Sequence, residues 1–302
     1  MRKSLVLRLL PLLLLCCSFQ LPDQDLPKGD LNGDGSVDVG DVQALIQYLL
    51  SGKWPQPLPV DGDVETIEVN GVSFKMVYVE PGTFTMGAAG DDTVAYAHEK
   101  PAHEVTLTTG YYMGQTEVTR ELWIAVMGYT PDGHDGDDQL PAMSLAWSEC
   151  QTFIAKLNEL TGRVFRLPTE AEWEFAARGG NKSNGYLYSG SNDVNDVAWY
   201  SVNAVDVGEE DPDFGPHPVA SKAPNELGLY DMSGNAYEWC QDYYGYYEAR
   251  PQTDPQGPTD GYRRIFRGGS WIYNAAHSRV TYRNSYPASS AFVCHGMRLA
   301  MW

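Results

Sequence analysis

The chain has 302 residues, 43% of them hydrophobic and 12% aromatic, with 30 glycines and a formal net charge of −19. That length holds one large domain plus a small one, and the aromatic and glycine content points to a loop-rich fold with a core built from rings. The charge excludes nucleic acid as a partner, because phosphate would be repelled, and it suits an exported, soluble surface whose carboxylates can hold calcium.

Residues 1–17 read as a signal peptide. Arg2, Lys3 and Arg8 give a positive start, and Leu5 to Leu15 give an apolar run too short to span a bilayer. The run ends at Cys16-Cys17, as bacterial lipoprotein signals do, so a lipid-anchored surface protein and a secreted one both stay open. A polar tether, residues 18–29, follows. Asp30, Asn32, Asp34, Ser36, Asp38 and Asp41 then stand at positions 1, 3, 5, 7, 9 and 12 of a twelve-residue loop, with Gly35 at its sharp turn. Oxygen side chains in this EF-hand spacing point at one centre and imply calcium. Val42, Leu45, Ile46, Leu49 and Leu50 continue as a helical stripe. Residues 30–51 resemble one dockerin calcium repeat, which implies a cohesin-like partner. Dockerins carry two repeats and one is found here, so a calcium-stiffened spacer competes with that reading.

A Pro-rich linker, residues 52–63, leads into the large domain, 64–302. Alternating stretches such as Val72–Val79 predict short strands. Helices are predicted over Arg120–Met127, Leu145–Leu160 and Glu170–Ala177, the last with Thr169 as N-cap and Glu172 closing a capping box. From residue 180 onward Gly, Asn, Asp, Ser and Tyr dominate, which predicts long irregular segments. Cys150, Cys240 and Cys294 share no disulfide or metal spacing, so Cys150 and Cys240 read as buried thiols.

Several motifs run in order through this domain: Gly82-Thr83-Phe84-Thr85-Met86-Gly87, Gln115 to Thr119 with Trp123, Arg166-Leu167-Pro168-Thr169-Glu170-Ala171-Glu172-Trp173-Glu174, Asn225 to Trp239, Arg267-Gly268-Gly269-Ser270-Trp271, and Gly296-Met297-Arg298-Leu299-Ala300. In order and spacing they resemble the formylglycine-generating enzyme (sulfatase-modifying factor) superfamily. The resemblance implies an α+β fold of C-type-lectin kind with much irregular structure, and places Trp173, Trp239 and Trp271 in core positions. It also implies a calcium ion held by Asp231 and Glu238 side chains with the Gly234 and Ala236 carbonyls. The family's enzymes oxidise a substrate cysteine with a copper-binding cysteine pair that follows the Gly-Gly-Ser-aromatic motif. Here Tyr273 and Ser278 occupy those two places. Neither supplies the thiolate that soft copper coordination and redox chemistry need, so a non-enzymatic role is expected.

The stretch from Ile272 to His295 contains no Lys, Glu, Gln, Met or Trp, which together make up nearly a fifth of the chain. Chance alone would leave such a window about once in a hundred. Those are the amino acids that no codon ending in C encodes. The residues present can arise from the Asn codon AAC by changes at its adenines alone. That bias resembles the variable proteins of diversity-generating retroelements, which use this fold and end near a Gly-Phe-Arg-like motif, here Gly296-Met297-Arg298. Arg279, Val280, Tyr282, Arg283 and Pro287 are expected to hold the scaffold. Ile272, Tyr273, Asn274, Ala276, His277, Ser278, Asn284, Ser285, Tyr286, Ser289, Ser290, Phe292, Val293, Cys294 and His295 are expected to vary and to contact a protein or glycan ligand. Alternatives are a fixed-specificity relative and a formylglycine-generating-type oxidoreductase.

Overall fold

The computed structural model describes residues 59–131 and 137–302, together with Asp41, Val42 and Leu45. The chain divides into two compact units, Met1–Pro59 and Val60–Trp302. In the first, Asp41, Val42 and Leu45 are helical and Asp41 is buried. The other calcium-loop positions, Asp30, Asn32, Asp34, Ser36 and Asp38, lie outside the described residues, as do the signal segment and the tether.

The second unit is built on three small sheets. The first orders β1 (Val64–Val69), β2 (Val72–Val79), β5 (Tyr111–Gly114), β12 (Ala300–Met301) and β6 (Phe165–Arg166), every neighbour antiparallel. The second orders β3 (Gly82–Met86), β4 (His103–Leu107) and β8 (Gln252–Thr253). The third orders β10 (Arg283–Pro287), β9 (Arg263–Arg267), β7 (Tyr237–Tyr243) and β11 (His295–Met297), with β11 parallel to β7. Long irregular segments join them, as the composition after residue 180 predicts. This is the expected α+β architecture.

The helices form where the local signals sit. In α1 (Arg120–Met127) the Thr119 hydroxyl accepts the Leu122 N–H at 3.2 Å, and Gly128 ends the helix in a left-handed conformation. The next, α2 (Trp147–Thr161), starts two residues later than predicted. Its Glu149 side chain reaches back 2.8 Å to the Ala146 N–H, while Leu145 is drawn into extended pairing with the His295 carbonyl. Leu160, near the end of this helix, is exposed. The α3 helix (Glu170–Ala177) matches the prediction residue for residue, with Thr169 and Glu172 closing the capping box.

Helix α3 is buried along its whole length, although three of its eight residues are glutamates. Each has a guanidinium. Glu172 takes Arg166 through two bonds of 2.6 and 2.7 Å, Glu174 takes Arg178 and Arg267, and Glu170 takes Arg283. Buried charges persist only when paired in this way. Around these pairs lie two apolar cores, one centred on Trp123, Phe153, Trp239 and Phe266, the other on Trp173, Phe175 and Ile265. Trp173 and Trp239 are fully buried as expected; Trp271 is half-buried. Cys150, Cys240 and Cys294 are all buried free thiols.

Candidate functional site

The 272–295 window starts from a turn only glycine can make. Gly268 and Gly269 have φ of +97° and +79°, and a Cβ on Gly269 would meet the His277 carbonyl at 2.9 Å. The chain then makes a 3-10 turn at Ala275–Ser278, returns as β10 against β9, loops out, and re-enters as β11 beside β7.

Within the window, anchoring and contact residues alternate. Arg279 is buried and bonds Glu99 through both terminal nitrogens, at 2.9 and 2.7 Å. Thr281 donates a further bond of 2.6 Å to the same carboxylate. Arg283, also buried, makes two bonds to Glu170 at 2.7 and 2.6 Å and donates to the His98 and Gly245 carbonyls. Bidentate Arg–carboxylate pairs fix direction as well as energy. Val280 and Tyr282 are buried between these arginines, and the Tyr282 carbonyl accepts from Arg267. Pro287 closes β10 and is half-buried. Arg279 and Arg283 are therefore tied to carboxylates 180 and 113 residues away in sequence.

The positions between them divide three ways. Asn274, Ser289, Phe292 and Val293 are exposed. Ile272, Tyr273, Ala276, His277, Asn284, Tyr286 and Ser290 are half-buried. Ser278, Ser285, Cys294 and His295 are buried, which corrects the expectation that all fifteen form a contact surface. They face inward because Ser278 lies beneath the Gly269 turn, Ser285 is on the core side of β10, and Cys294 and His295 enter β11. Burial pushes the Cys294 thiol up to about 11, so it is no reactive thiolate.

Part of this surface is an aromatic cluster. The His277 imidazole stacks on Tyr282 at 4.4 Å and on Tyr273 at 4.8 Å, and its Nδ1 shares a 3.0 Å hydrogen bond with the Tyr237 hydroxyl. Burial and the neighbouring Arg279 hold that imidazole below its usual pKa, so it is neutral. Tyr96 and His98 join from a loop far outside the window: Tyr96 stacks on His98 at 5.5 Å and meets Tyr282 edge-on at 5.7 Å. Sequence reasoning missed both. The one local sign was Glu99 beside them, a glutamate that the fold buries completely to receive Arg279. Near the start of the window, Phe214 meets Trp271 edge-on, and the Ser201 N–H donates to the Tyr273 carbonyl. A separate polar cavity of about 490 Å3, lined by His103, Glu170, Asp242, Tyr247 and Arg283, takes only Arg283 from the window.

The calcium set inferred for Asp231, Gly234, Ala236 and Glu238 does not fit. Both Glu238 oxygens are occupied: Arg298 bonds them through Nε at 3.0 and 2.9 Å and Nη2 at 2.6 Å, and the Trp173 indole donates at 2.6 Å. The Asp231 Oδ2 accepts the Ala220 N–H at 2.7 Å. A guanidinium already pairs with the carboxylate that calcium would need. Among the described residues no group of three or more His, Cys, Asp or Glu is placed to hold a metal ion.

Residues 61–301 match the sulfatase-modifying factor enzyme 1-like domain. The chain belongs to that family. Residues 28–71 match the dockerin type I domain. The sulfatase-modifying factor-like chain is 31% identical over 270 residues to chaperone protein LppX of Paenibacillus barcinonensis, covering 76% of this chain and 89% of that one. It is 31% identical over 287 residues to the formylglycine-generating enzyme of Thermomonospora curvata, covering 84% and 90%. Among solved structures it resembles Treponema denticola variable protein 1, with a TM-score of 0.70, 29% identity, and 80% of this chain and 99% of that chain covered. Family and fold are those the motifs imply, and the domain is a scaffold of the kind used by a variable protein.

Proposed function

We propose that this protein is an exported, non-catalytic binding protein that presents a diversified ligand-binding surface. One observation carries the reading: the window interleaves arginines locked to buried glutamates elsewhere with exposed and half-buried residues that open outward. Such a frame tolerates change at the outward positions while keeping its backbone. The exposed and half-buried Tyr, His, Phe, Asn and Ser supply rigid contact area and adaptable hydrogen bonds, as antibody loops do. The ligand is a protein or glycan at a cell or phage surface. The dockerin type I segment holds calcium through Asp30, Asn32, Asp34, Ser36, Asp38 and Asp41 and docks a cohesin-like partner, and the signal segment exports the chain as a surface lipoprotein or secreted protein.

Absence of catalysis is part of the reading. Tyr273 and Ser278 stand where the family enzymes carry their cysteines, and Cys294 is buried and alone. The likeness to formylglycine-generating enzymes favours the oxidoreductase alternative. Incubating the purified chain with copper and a cysteine-containing peptide decides between them, and no aldehyde product is expected. The gene tests diversification. A nearby non-coding copy differing only at adenines, beside a reverse transcriptase gene, is expected. Window codons that do not mostly end in C or T at the outward positions would sink it.

A further inference from the structure

We infer that His295 plugs an aromatic-walled pocket, and that this one position decides whether the binding surface is a shallow face or a cleft for a planar aromatic group. The inference rests on the binding-surface reading above and extends it to a residue that does not reach the surface.

The imidazole of His295 is ringed by five aromatic side chains. Its centroid lies 4.4 Å from Phe266, 5.0 Å from Trp239, 5.7 Å from Tyr237, 6.0 Å from Tyr286 and 5.0 Å from Phe292. The residue is 2% exposed, and its Nδ1 has no hydrogen-bond partner. Burial alone holds its pKa down to about 3, so the ring is neutral. A buried polar atom left without a partner is unfavourable. The imidazole therefore stays for its shape and flatness.

The walls have two origins. Tyr237, Trp239 and Phe266 are buried scaffold residues on β7 and β9, and the Trp239 indole is fixed by a 2.8 Å bond to the Leu145 carbonyl. Tyr286 and Phe292 come from the window and stand at the mouth, Phe292 being 41% exposed. The backbone of residue 295 is set independently of its side chain. Its N–H donates to the Phe292 carbonyl at 2.9 Å, its carbonyl accepts the Leu145 N–H at 3.1 Å, and it pairs with Tyr237 in the sheet. A smaller residue here would leave that backbone in place and empty the chamber. An apolar cavity of this kind stays dry and takes an aromatic guest, and ring edges and faces favour a planar one. Ala, Ser and Gly all lie within the window's codon range, so sibling chains with any of them would carry an open cleft where this chain carries a plug.

The test compares the full wild-type chain with His295→Ala and His295→Leu at pH 8, using imidazole as the probe. Saturable imidazole binding by calorimetry, with a matching rise in Tm, is expected for His295→Ala and absent in wild type and His295→Leu. A folded His295→Ala chain that shows no saturable binding overturns the pocket. If His295→Ala does not fold, His295→Leu decides. A Tm at or above wild type supports a shape-only role for the imidazole, and a Tm well below it shows that the ring nitrogens are bonded and overturns the plug. None of these results depends on whether gene copies differ in the window, so pocket and diversification fail separately.

Discussion

Removing Arg279 tests the division between anchor and contact residues most directly. Its partner Glu99 is 0% exposed and accepts from both Arg279 terminal nitrogens, from Thr281, and from the Tyr96 N–H at 2.8 Å. In Arg279→Ala the carboxylate keeps only the last two and no cation faces it. Stranding a buried charge costs about 3–5 kcal/mol. For a domain of this size each kcal/mol moves Tm by about 2–4 °C, so a fall of about 10 °C is expected. Ser289→Ala and Val293→Ala, at exposed positions outside the buried ion pairs, are expected to stay within about 0.5 kcal/mol of wild type. The double variant Glu99→Gln/Arg279→Met removes both charges and is expected to recover more than half of the loss. Calorimetry of the full chain reads all four. If Arg279→Ala melts with the exposed variants, or if the double variant is as unstable as the single, the ion pair does not hold the window and the scaffold argument fails.

Further outcomes follow from the same structure. Asp242 is buried beside Glu170, and burial first, then that neighbour, raises its carboxyl to about 8. The raised value means the folded state holds a proton that the unfolded chain releases above about 4. This contribution to stability is present below that pH and lost as pH rises toward 8; Asp242→Asn, which keeps an oxygen acceptor for the Glu170 N–H, is expected to flatten Tm against pH across that window. His295 runs the other way. Its stability contribution is present above about 6.5 and lost as pH falls toward 3, so His295→Leu is expected to melt with less acid sensitivity than wild type. Because Arg298 occupies Glu238, chelating calcium is expected to leave the melting of the Val60–Trp302 unit unchanged, while calcium binding by the whole chain disappears in Asp34→Ala/Asp38→Ala. A calcium-dependent rise in the melting of the large unit would restore the Asp231–Glu238 site. The thiols of Cys150, Cys240 and Cys294 are all pushed up by burial, and a thiol reagent is expected to modify none of them before the chain unfolds.

What could be read from the sequence is what local chemistry decides. Thr169 and Glu172 make a capping box wherever they stand before a helix, and α3 follows residue for residue. Gly268 and Gly269 supply a turn that other residues resist. The ordered motifs carry the family, and the absence of Lys, Glu, Gln, Met and Trp marks the window's edges without any coordinates. Tertiary structure decided which way each window residue faces, because burial depends on what packs against a strand and not on the strand itself. His295 reads as one more variable position in sequence, and the five rings around it come from three separate stretches of chain. Tyr96 and His98 join the surface only because Glu99 reaches an arginine 180 residues away. Glu238 looks like a calcium ligand beside Asp231 until Arg298, 60 residues on, is seen to hold both of its oxygens. A carboxylate's role is set by the nearest cation in space, and sequence order does not record that distance.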